Sequence, residues 1–132
     1  MASKNFIIPL IPFPFDVMVS LNQQNEELDN ELKKYSRSID DDDILKELGI
    51  REKYGGRTVK FIGGETILRL NFVPRLNNPF EMALLQHEIF HVIEFLLVDI
   101  GITLNNNTSE IYAYMLQNLT SEVYKHLISI RK

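Results

Sequence analysis

Alternation of apolar and polar positions marks strands near the start of the chain and in its middle. Asp16 to Leu21 (DVMVSL) places Val17, Val19 and Leu21 on one face of a short strand. Residues 57–62 (RTVKFI) and 65–72 (ETILRLNF) flank Gly63-Gly64, a dipeptide suited to a two-residue hairpin turn. That turn pairs Phe61 with Thr66 and Val59 with Leu68. One face then carries Val59, Phe61, Leu68, Leu70 and Phe72. The other carries Thr58, Lys60, Glu65, Arg69 and Asn71, with Ile62 and Ile67 as apolar exceptions. Residues 6–15 alternate prolines with large apolar side chains and predict an extended segment lying against the domain.

Helical spacing takes over elsewhere. Residues 25–35 (NEELDNELKKY) form an exposed amphipathic helix with Leu28 and Leu32 inward, its acids early and its lysines late, as the helix dipole favours. The run Asp40–Asp43 caps a short helix that stops at Gly49; four consecutive aspartates do not supply the spaced oxygens of a calcium loop. Asn78-Pro79 opens a helix that runs to about Asp99 and ends at Gly101. It is apolar nearly all round, which predicts a central, buried element. After a turn-rich loop, Thr108 or Ser109 caps a last helix to about Ile130, with Ile111, Met115, Leu119, Val123 and Leu127 inward and His126 at the surface.

This order of elements predicts an α+β domain: a small antiparallel sheet, with its hairpin packed on the 80–99 helix and an antiparallel C-terminal helix. At 132 residues the chain is one domain, with 1–56 as support and 57–132 as the functional half. There are no cysteines, which excludes disulfide scaffolds, thiolate zinc sites and cysteine nucleophiles and fits a reducing compartment. A net charge of −4 with no basic run argues against nucleic acid as a partner. The apolar start, NFIIPLIPFPF, is broken by prolines unlike a signal peptide, and no run approaches the roughly 20 apolar residues of a membrane span. A soluble, cytoplasmic protein with no membrane partner is expected.

The chemistry lies inside the apolar helix. His87-Glu88-Ile89-Phe90-His91 is an HExxH motif, and His87, Glu88, His91 and Glu94 share an arc of roughly 120° at about 100° per residue. Four ionisable groups on one side of a buried helix are costly unless paired or coordinated. Histidines at i and i+4 stack on one face, so both imidazoles reach one ion. Glu88 points past that ion, where it can hold a water and take its proton. Catalytic zinc commonly has three protein ligands. The third-histidine position of the longer HExxHxxGxxH pattern is Leu97, and its glycine position is Glu94, so that pattern fails. Glu110, separated from His91 by 18 residues, starts the next helix and is the candidate third ligand. Glu94 is the candidate to hydrogen-bond a metal-binding histidine from behind, or a paired carboxylate.

HExxH followed at this spacing by Glu resembles the gluzincin branch of zincin metallopeptidases. The flanking text, LLQHEIFHVIEFLL and SEIYAYMLQNLTSEVYKHL, is similar to small predicted metallopeptidases of bacteria and their phages, over roughly residues 57–128. The resemblance implies one Zn2+ per chain held by His87, His91 and Glu110, with Glu88 as general base in hydrolysis of a peptide or protein substrate. It implies a location in a bacterial or infected host cell. It also implies substrate binding by addition to the strand 65–72, through Ile67, Leu68, Arg69 and Leu70. The chain departs from the thermolysin-like branch, which has an Asp four residues after its third ligand; Tyr114 stands there. The aminopeptidase GAMEN motif is absent. Tyr114 is the candidate oxyanion stabiliser, with Tyr112 behind it and Arg69 as an outsider. The alternative function is a non-catalytic zincin-fold metal-binding module, which the short chain favours. A di-iron bundle needs a second Glu-x-x-His pair, and Glu122 with His126 has the wrong spacing. The sequence leaves the oligomeric state open.

Overall fold

The computed structural model describes residues 3–11, 13, 15–35, 55–60 and 66–130. Four strands form one sheet: β1 (Lys4–Pro9), β2 (Asp16–Leu21), β3 (Gly56–Lys60) and β4 (Thr66–Leu70), in the order β1-β2-β4-β3. With them stand α1 (Asn25–Tyr35), α2 (Pro79–Asp99) and α3 (Ser109–Ile130). The domain is α+β. The short helix expected after Asp40–Asp43 lies outside the described residues. No helix among the described residues is long and apolar enough to cross a membrane.

The sheet is mixed rather than antiparallel. β1 pairs β2 and β3 pairs β4 antiparallel, but β2 and β4 run parallel, from Val17 beside Thr66 to Leu21 beside Leu70. The cause is burial on both faces. Every residue of β4 is buried, and so is β2 from Val17 onward. Parallel pairs belong where both sides of a sheet are covered. On one side Leu28 and Leu32 of α1 meet Met18, Val59 and Ile67. On the other, Val17, Val19, Leu21, Leu68 and Leu70 join Leu85, Ile89, Val92, Leu96, Leu119 and Val123 of α2 and α3. Each such fully buried aliphatic side chain contributes roughly 1.5–3 kcal/mol of transfer free energy.

Two-sided burial also corrects the hairpin. Lys60 pairs with Thr66, Val59 with Ile67 and Thr58 with Leu68, one residue out of the expected register. Such a slip exchanges the faces. Ile67 is therefore a core residue of the α1 side, and Thr58 turns toward α2 together with Leu68 and Leu70. The Gly63-Gly64 turn itself lies outside the described residues. The extended N-terminal segment is in part a strand. β1 forms the sheet edge, where Pro9 forfeits no ladder bond that a central strand would need. Backbone bonds Leu10 N–H to Phe15 O and Phe13 N–H to Leu10 O (both 2.8 Å) close the connection to β2.

α2 begins and ends as its signals direct. The Asn78 side chain accepts from the Glu81 N–H, Pro79 stands in the first turn, and Gly101 takes φ +84° just past the end. α3 returns antiparallel, so that Gln86 near the start of α2 donates through Nε2 to Thr120 Oγ1 at 3.1 Å, well along α3. Its inward stripe starts at Tyr112, which is buried, and not at Ile111, which is 38% exposed. His126 stacks on Phe6 of β1 with ring centroids 4.1 Å apart.

Candidate metal centre

The site is carried by the middle of α2, and α2 is anchored at its start. Glu81, buried in the first turn, accepts from the Arg75 backbone N–H (2.9 Å), from Arg75 Nε and Nη2 (3.0 and 2.7 Å) and from Asn78 Nδ2 (3.0 Å). A rigid helix start sets the azimuth of everything two turns later. α2 then packs across β3 and β4 and against α3.

His87 and His91 project from the solvent side of α2 with their Nε2 atoms 3.2 Å apart and their rings near perpendicular, at 76°. Two nitrogens each about 2.0–2.1 Å from a tetrahedral zinc stand about 3.3–3.4 Å apart. The imidazole pair therefore has the span of two adjacent ligands of one divalent ion. Glu94 Oε1 lies 3.4 Å from His91 Nδ1. A proton on Nδ1 directed at that carboxylate leaves the Nε2 lone pair facing His87, the usual role of a carboxylate behind a metal-binding histidine. His91 also stacks on Phe95, with centroids 6.0 Å apart.

Glu88, beside the pair on the helix, points into the seam between α2 and β3. It is 6% exposed, and its Oε2 has no hydrogen-bond partner among the described residues. Burial pushes its carboxyl above the ordinary glutamate range; the nearby charges of His87, His91 and Arg57 oppose that rise. A buried carboxylate with an uncommitted oxygen beside two imidazoles is suited to accept a proton.

The other expected residues are distributed differently. Among the described residues no three His, Asp or Glu side chains form a group able to hold a metal. Glu110 is exposed and does not join the histidine pair. At about 100° per residue, Glu110 sits opposite the buried stripe of Tyr112, Met115, Leu119 and Val123. Tyr114, one turn on, shares that outer face and is 63% exposed. Neither faces α2. Tyr112 does: its hydroxyl donates to the Ile102 carbonyl at 2.6 Å, and burial with the Glu94 charge holds its phenol above the usual range. Arg69 is buried in β4 and donates to the Gln23 carbonyl at 2.9 Å, on the sheet face turned from α2.

Ile67, Leu68, Arg69 and Leu70 cannot accept an added strand, because β4 is paired on both sides. The sheet edge beside α2 is β3. Between them runs a groove of about 770 Å³, lined by Arg57, Thr58, Val59 and Lys60 on the strand and Glu94, Phe95, Val98 and Asp99 on the helix. Lys60 and Asp99 pair across it. Two contacts of β3 with Glu88 leave no mark in the sequence pattern. The Thr58 hydroxyl donates to the Glu88 carbonyl at 3.1 Å, and Gly56 lies directly against the Glu88 side chain. Gly56 stands just before the alternating run, where a glycine reads only as a strand boundary.

No protein-family model matches the chain, no curated protein matches it in sequence, and no solved structure matches its fold.

Proposed function

We propose that this protein is a zinc-dependent peptidase in which His87 and His91 hold the metal and Glu88 is the general base. The observation that carries the proposal is the 3.2 Å approach of the two Nε2 atoms beside a buried carboxylate with an uncommitted oxygen. The residues present fit a metal held by two imidazoles; they do not form the three-ligand set that includes Glu110. A bound divalent cation supplies Lewis acidity toward a carbonyl and acidifies a water.

The chain's own groups do the rest. Glu88 takes a proton from the attacking water and returns it to the departing amine, the double duty of a general base whose carboxyl burial holds above its ordinary value. Glu94 fixes the His91 ring through Nδ1. The β3 edge offers backbone donors and acceptors to an extended chain lying in the groove, with Phe95 and Val98 as an apolar seat for a side chain.

Metal analysis of purified protein tests the proposal. About one zinc per chain is expected, lost in His87→Ala and kept in Glu110→Ala, because Glu110 points away from the pair. A native chain without metal, or one that loses it in Glu110→Ala, contradicts the assignment. Cleavage of a mixed peptide library then separates the peptidase from the second reading, a metal-holding binding module. That second reading is favoured by the outward placement of Glu110 and of Tyr114, the expected oxyanion stabiliser. Zinc with no cleavage decides for it.

A further inference from the structure

Resting on the reading of Glu88 as the base, we propose that Gly56 and Thr58 of the edge strand are positioning residues that hold the Glu88 carboxylate in place. A Cβ at position 56 would stand 2.8 Å from Glu88 Cγ, 3.2 Å from Glu88 Cδ and 2.7 Å from Leu70 Cδ2. Carbon atoms do not approach so closely, so any side chain there must displace something. Leu70 is fully buried in the core, with little room to give, and Glu88 Cγ is the middle of a side chain rather than its free end. The glycine is therefore the wall against which the base lies. Thr58, two residues on and on the same face, fastens that wall to the helix through its hydroxyl on the Glu88 carbonyl. Both contacts exist because β3 stands in the observed register; in the expected one, the alternate residues would face α2. Strand and base are thus in direct contact, and the carboxylate keeps its buried position without a hydrogen bond to its Oε2.

A double-mutant cycle and steady-state kinetics test this together. Gly56→Ala should lower the unfolding midpoint, and this loss should be measurably smaller in a Glu88→Ala background, where Cγ is gone and only the approach to Leu70 remains. With zinc content unchanged, Gly56→Ala should reduce kcat about 10- to 100-fold while KM stays within about twofold, because a misplaced base slows chemistry rather than binding. Thr58→Val, nearly isosteric, should lower kcat several-fold with little change in KM or midpoint, and it serves if Gly56→Ala does not fold. Additive losses in the cycle show that position 56 does not meet Glu88 and overturn the proposal. A coupled cycle with unchanged kcat in both variants reduces the contact to packing and also overturns it. A wild type that cleaves nothing overturns the base reading itself; the cycle, which needs no activity, still reports whether the contact exists.

Discussion

Glu81 and Glu88 lie two turns apart on α2, and both are buried, at 4% and 6% exposure. Glu81 is saturated: four donors from Arg75 and Asn78 converge on its two oxygens. Glu88 has a buried oxygen with no partner among the described residues, and its environment disfavours its charge. The same residue type, on the same helix and at nearly the same depth, has opposite energetics. A satisfied carboxylate tethers a helix start and adds stability; an unsatisfied one costs stability and is kept where its reactivity is used.

That contrast can be broken by substitution. Glu88→Gln should leave metal bound and lower peptide cleavage about 10²- to 10⁴-fold, the range for loss of a general base; comparable cleavage by the variant erases the distinction. Glu81→Gln should leave chemistry intact and destabilise the fold by about 1.5–3 kcal/mol, read as a lower denaturation midpoint, since charge-assisted bonds to Arg75 and Asn78 weaken. Asn78→Ala should cost about 1 kcal/mol of the same stability through the lost cap.

The smallest effect is in the pH dependence of the metal-free chain. Because the Glu88 carboxyl is raised, the folded chain keeps that proton to higher pH than the unfolded chain, whose glutamates titrate near 4.5. Stability from this group is full below 4.5 and falls as pH rises through the window up to the raised value. Glu88→Gln should match the wild type in acid and become relatively more stable above that window, as measured by thermal melts across pH. An unchanged difference between the two at all pH values places Glu88 in an ordinary environment.

Much of this contrast was legible in the chain. Asn78-Pro79, with Glu81 three residues after Asn78, is a helix start that needs no tertiary partner to be recognised. The helical period alone stacks His87 on His91 and puts Glu94 behind them. The structure puts Glu110 away from the expected ligand position for a reason visible in helical geometry. Spacing along the chain says that an antiparallel helix returns near the site, but which face it presents depends on its apolar stripe. Moving the start of that stripe from Ile111 to Tyr112 turns Glu110 outward. The strand expected to bind substrate failed for a different cause. Its apolar run carried an exception, Ile67, that marked burial on both faces and hence a central position in the sheet.

By itself the sequence determined what short-range stereochemistry controls: the spans of α1, α2 and α3, the caps of α2, the shared face of His87 and His91, and the lack of any thiol. Tertiary structure decided what depends on partners distant in the chain. The parallel pairing of β2 with β4, the one-residue shift that turns Gly56 and Thr58 toward Glu88, and the outward face of Glu110 all follow from which surfaces α1, α2 and α3 bury together. Local propensity is nearly indifferent between neighbouring registers and rotations; burying both faces of one sheet is not.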